Sequence, residues 1–309
     1  MQPTSMPDKL DHLIQLLTPL LGPPVGEPVH LTGGITNLNY RMRMGDGEFV
    51  IRVTNPAAGL LGIDRVAELI AVRAAAAIGV GAEVAAVLPE QGCLVCRFIP
   101  GRPIPPEELR TPPRLREVGA TLAQIHACGT VLPSAFNPFR VVENYARTAA
   151  ARGAPERPEF AAASRIAAEI EQSLQGDEHL PVMCHNDLLN ANFLHDGKRI
   201  RIVDWEYAGM GDRYFDLGNF SINHECEETD DFHLLAGYFG EPVTDRRIAI
   251  VRLMRIMSDF REAMWGVVQS VSSTIEFDYE AYASRHFARL MENAADPRFA
   301  SWTRMARDP

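Results

Sequence analysis

No uninterrupted apolar stretch in this chain approaches the roughly 20 residues a membrane helix requires, so no membrane-spanning role is expected. The first residues also lack a basic start followed by an unbroken apolar run. Asp8, Asp11, His12 and Gln15 interrupt the leucines, so a secretory signal is not expected either. Positive charge is in deficit: a formal net charge of −10 argues against a nucleic-acid partner, which would depend on clustered Lys and Arg. An acidic balance favours a cationic small molecule by steering. Cysteine is scarce and odd in number, five in 309 residues, which excludes a fully paired disulfide framework and points to a reducing, cytoplasmic setting. Cys93 and Cys96 have C-x-x-C spacing, but no second pair answers them. The strand-like GCLVCRF is read as placing both on one face as ordinary strand residues.

What is present is a globular composition, 46% hydrophobic and 23% charged, in a chain long enough to bury a large core. Leu10, Ile14, Leu17 and Leu21 recur at helical spacing. Residues 28–43 and 48–53 read as strands around the turn Gly45-Asp46-Gly47, with alternating apolar residues in FVIRV. An alanine-rich helix over 64–78 and strands over 82–88 and 93–98 follow. The breakers Pro100-Gly101-Arg102-Pro103 and Pro105-Pro106 then mark a change of character. Beyond them helices are expected over 115–128, 144–152, 159–174, 245–271 and 279–293. The prediction is an α+β protein of two lobes, a strand-rich one over 1–99 and a larger, mostly helical one over 100–309.

One strand island interrupts the helices. FLH, Asp196-Gly197-Lys198 and IRIVDW have the pattern of a β-hairpin with a D-G turn. A turn centred on Gly197 and Lys198 sets Asn192 across from Val203, so Asn192 and Asp204 lie side by side at the open end. An amide oxygen and a carboxylate converging there suit Mg²⁺, a hard cation that takes one or two protein carboxylates plus phosphate oxygens. Asp187 sits in the loop just before the hairpin, anchored by PVMC, and can face the same cavity. Phosphoryl transfer needs a group to accept the proton of an in-line hydroxyl and cations to neutralise phosphate charge. Asp187 fits the base and Asn192 and Asp204 the metal ligands, in the order H-x-D-x-x-x-x-N followed by a metal Asp. His185 is grouped with Asp187 as a catalytic-loop residue, a side chain bracing the loop, because the chemistry requires only one base.

On the nucleotide side, Gly33 and Gly34 in LTGGITNLNYRM let backbone N–H groups approach phosphates, with Thr36 and Asn37 beside them. The motif is not G-x-G-x-x-G. Arg52 interrupts FVIRV where an inward cation would clamp phosphates, and Glu68 on the following helix is placed to orient it. Phe98 and Ile99 fall in the expected hinge, 97–101, whose main chain would meet the adenine of ATP.

The segments GGITNLNYRM, VIRV, IDRVAE, RFIPGRPI, HNDLLNANF, VDWEYAG, YFDLGNF, WGVVQS and FDYEAYASR occur in order from Gly33 to Arg285. Together they resemble the choline/ethanolamine kinase family, within the wider group of aminoglycoside phosphotransferase-like kinases. The resemblance implies a two-lobed protein-kinase-like fold, ATP and Mg²⁺ as cofactors, and a small amino alcohol as acceptor. It also implies an acceptor pocket built from Trp265, Tyr279 and Tyr282, with Tyr207 and Asp216 close to the chemistry. A quaternary ammonium is held by aromatic faces and carboxylates, each face contributing about 0.5 to 2 kcal/mol. The chain departs from the family at Glu262, where many choline kinases carry a second Trp. The acid expected soon after Asn219 is out of register, with Glu225 and Glu227 nearest. Ethanolamine therefore stays open beside choline, as do an aminoglycoside, thiamine or another small alcohol. A catalytically silent nucleotide-binding regulator is the alternative from another class, against which Asp187, Asn192 and Asp204 are all present. A protein kinase is disfavoured by the missing G-x-G-x-x-G and A-P-E segments. The oligomeric state, including a homodimer, is left open.

Overall fold

Alternation along Phe49-Val50-Ile51-Arg52-Val53 decides how the front lobe is built. Phe49, Ile51 and Val53 are buried on one face of their strand, while Val50 and Arg52 turn to the other and line a cleft. The computed structural model describes residues 6–31, 37–54, 56–176 and 179–307. In it helix α1 (Met6–Leu21) precedes β1 (Pro24–Leu31), β2 (Leu38–Met44) and β3 (Gly47–Val53). Helix α2 (Arg65–Ala77), β4 (Val84–Leu88) and β5 (Cys93–Arg97) complete the lobe. The strands form an antiparallel sheet in the order β1-β2-β3-β5-β4. Leu10, Leu13, Ile14 and Leu17 of α1 cover one face, joining Phe49, Ile51, Cys93 and Val95 in a small core of their own. Helix α2 begins at Asp64, whose carboxylate accepts the N–H groups of Val66 (2.9 Å) and Ala67 (3.1 Å). Its buried stripe Ala67, Ala71 and Ala75 belongs to the larger core.

Cys93 and Cys96 do not share a face, contrary to expectation. Residues three apart on a strand point to opposite faces, so Cys93 packs against α1 while Cys96 lines the cleft. All five cysteines are free.

The second lobe begins with β6 (Arg102–Pro103), α3 (Pro106–Leu109), α4 (Pro112–His126), β7 (Ala135–Phe136), α5 (Pro138–Ala151) and α6 (Phe160–Ser173). The strand island follows as β8 (Val182–Cys184), β9 (Phe193–His195), β10 (Ile200–Ile202) and β11 (Gly209–Gly211). It ends with α7 (Arg213–Asn223), α8 (Glu228–Phe239), α9 (Asp245–Ser270), α10 (Tyr279–Ala294) and α11 (Phe299–Arg307). The island makes two small sheets, β10-β9-β6 and β7-β11-β8. Helix α9 is buried nearly all round from Ala249 to Gln269, as a helix enclosed by others must be, and α5, α7, α8, α10 and α11 pack on it. The architecture is the expected two-lobed α+β one, an antiparallel sheet in front of a mostly helical remainder. Among the described residues no helix is long and apolar enough to cross a membrane.

Candidate active site

The D-G turn acts as its residues predict. Asp196 Oδ1 accepts the N–H groups of Lys198 (2.9 Å) and Arg199 (3.0 Å), and Gly197 takes a φ of +90°. With Ile202 thereby set opposite Phe193, the next rung joins the Val203 N–H to the Asn192 carbonyl at 3.1 Å. Asp204 follows at a φ of +64°, and its side chain is 30% exposed in the cleft. Asn192 and Asp204 line one cavity of about 430 Å³ together with Arg52, Phe98 and Ile99. The Phe98 N–H is donated to the Glu48 carbonyl at 2.8 Å, which fastens the hinge to the front sheet.

The loop carrying Asp187 is held from behind by α7. Asp216 and Asn219 stand one helical turn apart on its buried face. Asp216 accepts the main-chain N–H groups of His185 (2.8 Å) and Asn186 (2.7 Å), and Asn219 Oδ1 accepts that of Leu188 (2.6 Å). Asn186 sits at a φ of +66°, a conformation Asn tolerates, and its amide donates to the Tyr207 carbonyl at 3.0 Å. Burial works against the Asp216 charge, yet the hydrogen bond and charge of His126, 3.0 Å away, hold its pKa below the ordinary carboxylate value. Asp216 is therefore not an acceptor-binding residue, contrary to the resemblance. It is fully buried and binds loop backbone, leaving no face for a ligand.

His185 has both ring nitrogens engaged. Nε2 donates to the Val203 carbonyl at 3.0 Å, and Nδ1 accepts the Asp187 N–H at 3.2 Å, which selects the Nε2–H tautomer. Burial lowers its pKa and keeps the ring neutral. It ties the loop to the hairpin and has no nitrogen turned to a substrate. Asp187 itself accepts from Arg261 Nη1 at 3.2 Å, and its carbonyl receives the Asn192 amide at 2.8 Å. Burial pushes the Asp187 carboxyl up to about 8, Arg261 opposes, and Glu262 and Asp204 add to the rise.

Arg52 is buried and paired with Glu68, with Asp204 at 3.4 Å, and Glu68 in turn accepts from Arg65 at 2.8 Å. Burial disfavours the Arg52 charge, but Glu68 and Asp204 more than offset this and raise its pKa. Asn37 donates to Glu206 at 2.7 Å. The remaining front-loop positions, Gly33, Gly34 and Thr36, lie outside the described residues. Sequence reasoning missed Glu206, which is 2% exposed, pushed up to about 7 by burial and by Asp204, and stands two residues beyond Asp204. It missed Arg261 as well, which stands in no motif.

The four aromatic residues expected at the acceptor do meet. Trp265 Nε1 donates to the Tyr207 hydroxyl at 2.9 Å, and its ring lies 5.8 Å from Tyr279 and 5.4 Å from Tyr282. Tyr282 donates to Glu262 at 2.7 Å, Glu262 pairs with Arg261, and the Arg261 guanidinium lies 4.3 Å from the Tyr207 ring centre. The buried acid of this cluster is thus Glu262, while Glu225 and Glu227 are exposed at the start of α8.

A cleft between two lobes, a hairpin presenting an amide and a carboxylate, and a buried aspartate beside them define a protein-kinase-like phosphotransferase. Residues 29–247 match the model of the phosphotransferase enzyme family. A choline/ethanolamine kinase family protein from Mesorhizobium loti superposes with a TM-score of 0.83 at 30% identity, over 97% of this chain and 100% of that one. Probable ethanolamine kinase A of Dictyostelium discoideum is 27% identical over 296 residues, 85% of this chain and 84% of its own length. The Homo sapiens choline/ethanolamine kinase is 26% identical over 311 residues, 83% and 77% of the two chains. The chain belongs to the phosphotransferase enzyme family and, within it, to the choline/ethanolamine kinase family. It is a small-molecule phosphotransferase, a class that uses ATP and a divalent metal ion.

Proposed function

We propose that the protein transfers the terminal phosphoryl group of ATP to the hydroxyl of a small amino alcohol, choline or ethanolamine, in the cytoplasm. Asp187 is assigned as the base that orients and deprotonates that hydroxyl. Asn192 and Asp204 would hold Mg²⁺. Their donor set fits a hard cation: the Asn192 amide nitrogen is committed to the Asp187 carbonyl, and the Asp204 carboxylate opens on the same cavity. When bound, the ion neutralises charge on the phosphates. Arg52, oriented by Glu68, supplies fixed positive charge for phosphate oxygens in the cleft, and Phe98 and Ile99 border the adenine end. Gly33, Gly34, Thr36 and Asn37 are assigned to the phosphate side. His185 is assigned as a brace, and the lobes are divided at residues 1–99 and 100–309. Tyr207, Trp265, Tyr279 and Tyr282, with Glu262, are assigned to the cationic end of the acceptor.

The observation that carries this reading is the hairpin rung from Val203 to Asn192, 3.1 Å, which sets Asn192 and Asp204 at the mouth of one cavity while Asn192 also grips the Asp187 carbonyl. A coupled ADP-release assay with choline, ethanolamine and an aminoglycoside side by side tests it. Turnover of either amino alcohol is the expected result. Turnover of the aminoglycoside alone would replace the acceptor, and turnover of none would overturn the reading.

A further inference from the structure

A cavity of about 380 Å³ opens on the α5 side of Tyr207, apart from the nucleotide cleft. Glu206, Tyr207 and Asp64 line it together with Asn144, Tyr145 and Arg147 of α5. Trp265, Tyr279 and Tyr282 line neither this cavity nor the cleft. Trp265 and Tyr279 are 4% and 5% exposed and turn their ring edges to one another, while Tyr282 is half-buried on the side away from Tyr207, beside the exposed Phe277. Tyr207 lines the cavity and touches the aromatic cluster. Its hydroxyl takes the Trp265 indole N–H, the Arg261 guanidinium stacks on its ring, and its body faces the cavity.

Tyr145 completes that boundary. It is 2% exposed, its hydroxyl donates to the Leu61 carbonyl at 3.2 Å, and its ring lines the same cavity. Arg261, 4.3 Å from the Tyr207 ring centre and 3.2 Å from Asp187, links this wall of the cavity to the catalytic loop. The lining also carries the carboxylates of Asp64 and Glu206, opposed by Arg147 on an exposed stretch of α5 where it pairs with Asn144. Buried aromatic rings backed by carboxylates suit an organic cation.

We infer that a cationic alcohol reaches Asp187 through this cavity, and that Tyr145 is a specificity-determining residue whose ring, with Tyr207, walls the passage for the ammonium group. The ammonium part of this inference rests on the amino-alcohol reading. Tyr145 follows from the cavity alone, since α5 carries no kinase motif.

Steady-state kinetics on the full chain with choline and MgATP test it, using Tyr145→Leu, Tyr145→Phe and Asn144→Trp. Tyr145→Leu should raise KM for choline about tenfold and leave KM for ATP within about twofold. Tyr145→Phe keeps the ring and should hold both constants within about twofold of the parent. Asn144→Trp, at an exposed rim position, should obstruct the passage and raise only the acceptor KM. It keeps the inference falsifiable if Tyr145→Leu does not fold. Equal shifts for both substrates, Tyr145→Phe as damaging as Tyr145→Leu, or an unchanged acceptor KM in Asn144→Trp would each overturn it. Failure of the parent chain to phosphorylate choline or ethanolamine would instead overturn the amino-alcohol reading. The Asn144→Trp comparison would then decide the passage with whichever alcohol is turned over.

Discussion

Arg261 Nη1 lies 3.2 Å from Asp187 Oδ1, so a buried cation from the middle of α9 sits directly on the assigned base. The same guanidinium is shared with Glu262, and the two neighbours pull the Asp187 carboxyl in opposite directions. A base works in its ionised form, so kcat/KM of the free enzyme should climb with pH toward about 8 and level off above it. A divalent ion would neutralise part of the Asp204 charge and move this limb to lower pH. Glu262→Gln removes a charge that raises the pKa and should move the limb down, whereas Arg261→Gln should move it up. A pH–rate profile of the two variants moving together would contradict this electrostatic account. Asp187→Asn should abolish turnover while ATP still binds, as read by calorimetry; retained turnover would remove Asp187 from its role.

Metal dependence follows from the hairpin. Chelation should stop turnover and added Mg²⁺ restore it. Asp204→Asn replaces a charged ligand by a neutral one and should raise the Mg²⁺ concentration giving half-maximal rate by about tenfold or more. An unmoved requirement would place the ion elsewhere.

Asp216 acts on the loop rather than on a ligand. Asp216→Ala strips the acceptor from two buried N–H groups and from His126, and hydrogen bonds to a charged group are worth about 1.5 to 3 kcal/mol each. Unfolding free energy should therefore fall by roughly 3 kcal/mol or more, with kcat reduced and KM for ATP little changed. A variant of normal stability with only a raised acceptor KM would restore Asp216 to the acceptor site.

The aromatic cluster makes a separate prediction. Trp265→Ala should raise KM for a quaternary amine by about 2- to 30-fold, the equivalent of one aromatic face, with a much smaller effect on ATP. Equal effects on both substrates would make Trp265 a packing residue.

Local spacing explains why the hairpin and the cleft face of β3 were legible beforehand. A D-G turn sets its own register, which delivers Asn192 opposite Val203, and a period of two puts Arg52 on the face of its strand away from Ile51. Helices hide more. Asp216 and Asn219 share a helical face, but nothing in YFDLGNF says whether that face looks at a ligand or at the backbone of a distant loop. Arg261 and Glu262 lie in a helix that also buries Arg255, Ser258, Asp259 and Gln269, Tyr145 lies in the apolar stripe of another, and only the packing of α5 and α10 on α9 brings them together. The placing of Cys93 and Cys96 on one face failed for a simpler reason, since strand residues an odd number apart fall on opposite faces.

Acid should weaken the fold through one buried histidine. His224, at the end of α7, donates Nδ1 to the Phe220 carbonyl at 2.8 Å and stacks on the Phe220 ring at 4.1 Å. Burial drives its pKa down from 6.5 to about 4, so the folded protein keeps the ring neutral where the unfolded chain has already taken up a proton. A depressed histidine pKa means that the unfolded state binds more protons as pH falls. Its contribution is complete above about 6.5 and is lost progressively down to about 4. At about 1.4 kcal/mol per pH unit the loss comes to roughly 3 kcal/mol. Urea unfolding of the parent chain and of His224→Gln at pH 7.5, 6 and 5 isolates this from the carboxylates common to both. The stability gap between the two should narrow as the solution is acidified, and a gap that stays constant would mean His224 does not titrate as its burial requires.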